Sequence, residues 1–152
     1  MITLTPVGFA YNERHQVKDD FWGEVISRIV IDQSLPEESL NEIESFSHLE
    51  IIYYFHKVEK DKLITGARHP RNDITLPKAG IFAQRGKNRP NQLGLASVKL
   101  LKKEGREIVV SGLDCINGTP VLDIKPVMKE FLPAGTIEQP AWTNEIMKNY
   151  WK

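Results

Sequence analysis

Short runs of β-branched and aromatic residues recur along the chain, each closed by glycine, proline or asparagine, while sustained helical periodicity is scarce. Strands are expected at Thr3–Phe9 and Val25–Asp32, the second with a mixed pattern that suits a strand partly covered on both faces. Leu49–His56 is the densest aromatic and β-branched run and reads as a central strand. Further strands are expected at Ala79–Arg85, Leu95–Leu101, Glu107–Leu113 and Val121–Lys125, with Lys103–Arg106 as a tight hairpin connection. Asn12–Asp20 and Arg68–Asp73 are polar and aperiodic, and read as loops. Pro36 before Glu37 and Glu38 marks a helix start, because proline suits the first turn and carboxylates suit the positive helix end. Leu40, Ile43 and Phe46 then fall at helical spacing. A last helix is expected over Thr143–Trp151, capped by Thr143 and burying Ile146, Met147 and Tyr150. Many short strands and few helices predict a mostly β chain: a small antiparallel β-barrel with one or two short helices.

Composition narrows this picture without redirecting it. The 152 residues suit a single domain over 1–152, with its core at about 3–127 and a helical tail over 128–152. Hydrophobic and charged fractions of 41% and 26% are those of an ordinary globular protein. A single cysteine, Cys115, excludes an internal disulfide and implies a reducing, cytoplasmic setting. No secretory pattern and no long apolar run appears, so no membrane association is expected. The formal net charge of zero conceals an asymmetry: nine acidic residues stand against Arg28 between Asp19 and Glu50, and ten Lys/Arg against Asp73 between Lys62 and Lys103. Two readings stand. Either the halves pair in the fold, or the basic half steers a polyanion to one face.

Several chemistries are excluded by pattern. No glycine-rich phosphate loop follows a strand; Gly80 and Gly86 are six apart, but the residues between them read as strand. His15, His48, His56 and His69 are scattered and Cys115 is alone, so no metal site is expected. No Gly-x-Ser-x-Gly elbow occurs. Two loops remain. Gly80–Gly94 places Arg85, Lys87 and Arg89 within five residues, beside Asn91 and Pro90. Guanidinium groups bind phosphate or carboxylate bidentately, so this is either an anion site or a hairpin with solvated charges. Gly112–Pro126 contains the turn Asn117-Gly118-Thr119-Pro120, whose exposed main chain would suit an adenine edge or ribose hydroxyls. Asp114 and Asp123 flank that turn, as ligand contacts or as turn caps. His56-Lys57 closes the aromatic strand, with His56 either catalytic or a satisfied structural histidine.

In order along the chain, Phe46-Ser47-His48-Leu49, Phe55-His56, Gly80-Ile81-Phe82-Ala83-x-Arg85, Arg89-Pro90-Asn91-x-x-Gly94 and Gly112–Pro126 resemble the signature blocks of the TrmO/TsaA-like family. The joint pattern is far more specific than any one block. The resemblance implies a TsaA-like antiparallel barrel that forms a homodimer and transfers methyl from S-adenosylmethionine to N6 of N6-threonylcarbamoyladenosine at position 37 of tRNA. Carried over by position, it implies cofactor contacts from Trp22, Gly23, His56, Lys57, Arg85, Leu95 and the turn Ile116, Asn117, Gly118 and Thr119. Asp20-Phe21-Trp22-Gly23 replaces the Pro-Arg-Gln-Pro-Gly type of loop found in some members. Too few residues follow Pro126 to form the additional C-terminal domain that some relatives carry.

The acceptor nitrogen of a carbamoylated adenosine is a poor nucleophile, since its lone pair is delocalised. Loss of its proton calls for a base or for stabilisation of the anion. His56 and Asp114 are the candidate bases; Arg85, Lys87, Arg89 and Asn91 are the candidate substrate or anion contacts. The alternatives are a non-catalytic module binding S-adenosylmethionine or RNA, and a methyltransferase for a small molecule.

Overall fold

The computed structural model describes residues 1–152. Its strands are β1 Gly8–Tyr11, β2 Ile26–Ile31, β3 His48–Tyr54, β4 Ala67–Arg68, β5 Ala79–Gly80, β6 Leu93–Glu104, β7 Glu107–Ser111 and β8 Thr119–Pro126. Six of them close into an antiparallel barrel in the order β1-β2-β7-β6-β3-β8, while β4 and β5 pair by themselves. Closure leaves no open ladder edge on the six strands. Alternation supplies the core: Leu49, Ile51 and Tyr53 of β3 point inward with Ala96 and Val98 of β6, Ile108 and Val110 of β7, and Ile29 and Ile31 of β2. Each large apolar side chain removed from water contributes about 1.5–3 kcal/mol.

Local structure departs from the sequence expectations at four places. Pairing begins at Gly8, so residues 1–6 are outside the sheet and the expected strand over Thr3–Phe9 is realised only at its end. The helix after Pro36 is instead two 3-10 turns, Glu37–Leu40 and Ile43–Ser45, because Glu42 between them adopts φ 68 and breaks the hydrogen-bond ladder. The chain over Ala79–Arg85 is not a full strand: after β5 it turns through Ile81–Ala83. Gln84 holds that turn by donating from Nε2 to the carbonyls of Ala79 (2.7 Å) and Arg68 (3.0 Å). In the tail the helix α1 spans Ala141–Met147 only, entered through Pro140, and Thr143 donates its hydroxyl to the Pro140 carbonyl at 2.7 Å rather than capping. Tyr150 lies beyond its end and is half-buried, while Met147 is exposed.

Because every neighbour in the barrel is antiparallel, the ends of β1, β3 and β7 and the starts of β2, β6 and β8 share one rim. That rim carries the connections Asn12–Val25, Phe55–Gln92 and Gly112–Gly118. Cys115 leaves the rim for the core, where burial pushes its thiol up to about 12. Iodoacetamide at pH 8 is therefore expected to leave Cys115 unlabelled in the native chain and to label it after unfolding in urea, as read by mass spectrometry. Rapid native labelling would contradict this burial.

Candidate functional site

The β7–β8 turn is fastened to the β1–β2 loop by its own amides. Asn117 N–H donates to the Arg14 carbonyl (2.7 Å), Gly118 N–H to Ala10 (2.7 Å) and Thr119 N–H to Ile116 (3.3 Å). The Thr119 hydroxyl also donates to Ile116 at 2.7 Å, and Asn117 Oδ1 accepts the Asn12 amide at 3.0 Å. Those three main-chain donors are thus engaged within the fold, contrary to the expectation of free backbone groups. A ligand on the turn meets its carbonyls and side chains.

Trp22 is buried rather than presented as a stacking face. Arg14 lies 3.9 Å from its ring centroid, and donates to the Phe21 carbonyl at 2.9 Å and to the Asp20 carbonyl. Asp20 in turn forms a two-pronged ion pair with Arg71, at 2.9 and 3.3 Å, which joins this loop to the connection after β4. Gly23 carries the backbone of Trp151 directly against it, and any Cβ there would overlap the Trp151 carbonyl.

The connection from β3 to β6 contributes the cations. Arg85 is exposed, has no carboxylate partner and donates one guanidinium N–H to the Leu95 carbonyl at 2.8 Å, so these two predicted contacts are brought together. Arg89 turns inward instead, donating to the carbonyls of Gln84 (2.7 Å) and Gly86 (3.3 Å), which fixes the loop backbone. Asn91 is exposed at φ 64, a left-handed position that asparagine tolerates, and its visible role is in shaping the turn. Lys57 and Lys87 meet Lys62, Glu59 and Asn88 around a hollow of about 210 Å³, where three ammonium groups against one carboxylate suit an anion. Burial, then the charge of Lys57, lower the His56 pKa from 6.5, so its imidazole is neutral at physiological pH.

Asp114 is the centre of a network that no local spacing announces. Its Oδ1 accepts the Tyr53 hydroxyl at 2.8 Å and its Oδ2 accepts the Tyr150 hydroxyl, from positions 61 and 36 residues away. Desolvation, then the Asp114 charge, raise both phenols, which remain protonated donors. Arg68 was also absent from the expected set: its Nε is buried without a hydrogen-bond partner. A second hollow, an open groove of about 1040 Å³, runs along Tyr11, Asn12, Arg14, Phe21 and Asn117. The predicted segments therefore share a rim but line separate hollows. Of four ion pairs, only Arg71–Asp20 links the acidic stretch to the basic one, so the two halves do not neutralise each other through contact.

Residues 11–131 match the family described as tRNA-methyltransferase O N-terminal domain. A human tRNA (adenine(37)-N6)-methyltransferase is 42% identical over 114 residues, which are 75% of this chain and 25% of the human protein. The chain thus spans about a quarter of that relative's length. A probable S-adenosyl-L-methionine-binding protein of Pyrococcus abyssi is 34% identical over 143 residues, covering 86% of this chain and 71% of the relative. Crystal structures of TrmO superpose at TM-scores of 0.75 (from P. aeruginosa) and 0.73, each over 93% of this chain and over 62% and 64% of the other chain. At 22% and 24% identity these two establish the fold: the same closed barrel. By the match over most of its length, the chain belongs to the tRNA-methyltransferase O N-terminal domain family.

Proposed function

We propose that the chain is an S-adenosylmethionine-dependent methyltransferase domain that acts on N6 of N6-threonylcarbamoyladenosine at position 37 of tRNA. The observation that carries this reading is the gathering of its three family-matched loops on one barrel rim. The name of the human relative supports the tRNA acceptor, and that of the P. abyssi relative supports the cofactor. No helix of the structure is long and apolar enough to cross a membrane. We extend the reading to a cytoplasmic homodimer, supported by the lone thiol and by exposed Phe82, Leu93 and Leu95.

The residues present fit the cofactor's chemistry. S-adenosylmethionine supplies its methyl group from a sulfonium centre, and its carboxylate needs a cationic partner. Arg85, tethered by one N–H and otherwise unpaired, has donors left for a carboxylate of cofactor or substrate. A neutral His56 adds no further cation beside a sulfonium and is the candidate acceptor for the N6 proton. Asp114, already accepting two phenols, acts as an oriented acceptor rather than a mobile base. The remaining task of the rim is alignment of donor and acceptor with water excluded.

Arg85→Ala is expected to lower methyl transfer to tRNA bearing the modified adenosine by roughly 10–100-fold, the scale of a lost charge-assisted hydrogen bond. Undiminished transfer sinks the role given to Arg85. Arg89→Ala is the wrong probe, since it orphans two loop carbonyls and acts through structure. The P. abyssi name, given to the relative covered most fully among those compared above, favours a second reading as a cofactor-binding module. Calorimetry with the cofactor followed by product analysis separates them: binding with no methylated RNA on any tRNA pool selects the module.

A further inference from the structure

The family match ends at residue 131, yet the most specific contacts on the rim come from the last residues of the chain. The amides of Phe21 and Trp22 donate to the carbonyls of Asn149 (3.1 Å) and Tyr150 (2.8 Å). Gly23 has no side chain where the Trp151 carbonyl lies, so the loop approaches the tail at backbone distance. Tyr150 reaches Asp114 from the side opposite Tyr53. The indole of Trp151 packs edge-on against the Tyr150 ring, with centroids 4.9 Å apart. By contrast, residues 128–141 are exposed throughout, so the tail crosses solvent and docks by its end.

We infer that Asn149–Trp151 form a wall of the cofactor rim and that Tyr150 is a positioning residue for Asp114. An ionised carboxylate offers about four acceptor sites, and two phenols anchor one on each oxygen. The remaining sites are held in a fixed direction and can accept from a hydroxyl or amino group of a nucleoside. The same three residues hold Phe21–Gly23, so one short segment sets the geometry of two family-matched loops at once. This rests on the functional reading above for the identity of the ligand; the docking of the tail stands on the contacts alone.

The test is calorimetry with S-adenosylhomocysteine on the full chain, with amide exchange as a measurement that needs no ligand. Tyr150→Phe keeps the ring and removes the donor, and is expected to weaken binding about tenfold while the far-ultraviolet spectrum is unchanged. In an Asp114→Asn background the same change is expected to have little further effect on affinity, as follows if Tyr150 acts on the ligand through Asp114. Deleting Asn149–Lys152 is expected to accelerate amide exchange at Phe21 and Trp22 by at least tenfold. Unchanged affinity in Tyr150→Phe, or its full loss repeated in the Asp114→Asn background, overturns the positioning role. Unchanged exchange after the deletion overturns the wall. A full chain that binds no S-adenosylhomocysteine overturns the cofactor reading instead, and exchange then decides the tail's docking by itself.

Discussion

Tyr53→Ala is expected to remove about 4 kcal/mol of folding stability, the range for deleting a buried aromatic ring. The ring is 2% exposed, at the rim end of β3, and it packs edge-on against Phe55 with centroids 5.3 Å apart. Its loss also leaves Asp114 short of one donor. Tyr53→Phe separates the two effects: it retains the packing and is expected to lose on the order of 2 kcal/mol, the scale of a hydrogen bond to a charged group. Urea denaturation reads both. A loss in Tyr53→Ala no greater than in Tyr53→Phe would show that the cavity term is wrong.

Gly94→Ala is expected to be nearly as damaging for a residue so small, at about 2–3 kcal/mol. Gly94 stands directly across the ladder from Tyr53, and a Cβ there overlaps three atoms of its ring. Elsewhere an aromatic ring could swing aside. Here Phe55 flanks it and Asp114 holds its hydroxyl, so relief requires breaking one of those contacts. The two substitutions therefore share one cause. In a Tyr53→Ala background Gly94→Ala is expected to be close to neutral, and additive losses in the double variant would refute the steric account.

How much was legible in advance follows from the range of the forces involved. The strand runs at Val25–Asp32, Leu49–His56, Leu95–Leu101 and Glu107–Leu113 were readable because alternation and β-branching are local. The helix after Pro36 was misjudged because its apolar spacing is helical while Glu42 turns left-handed between two short pieces. The strand over Ala79–Arg85 failed for a different reason: the chain leaves the ladder at Ile81 for a tight turn, and the Gln84 side chain anchors that turn on the carbonyls of Ala79 and Arg68. Among the site residues, Arg85 and Leu95 were named separately and meet through one hydrogen bond. Arg89, equally basic and four residues on, is committed to the loop's own carbonyls, a distinction no count of charges reveals.

The amino-acid sequence by itself determined that the chain builds a mostly β barrel, and where its basic, asparagine- and glycine-rich loops fall, since period, turn residues and motif order are properties of neighbouring residues. Only the tertiary structure decided that Asn12–Val25, Phe55–Gln92 and Gly112–Gly118 share a rim, because strand order in a closed barrel is set by pairing between distant segments. It also decided that Asp114 is gripped by Tyr53 and Tyr150 and that Gly23 lies under Trp151. Those contacts join residues far apart in the chain, and no local pattern encodes a partner that only folding brings within hydrogen-bond distance.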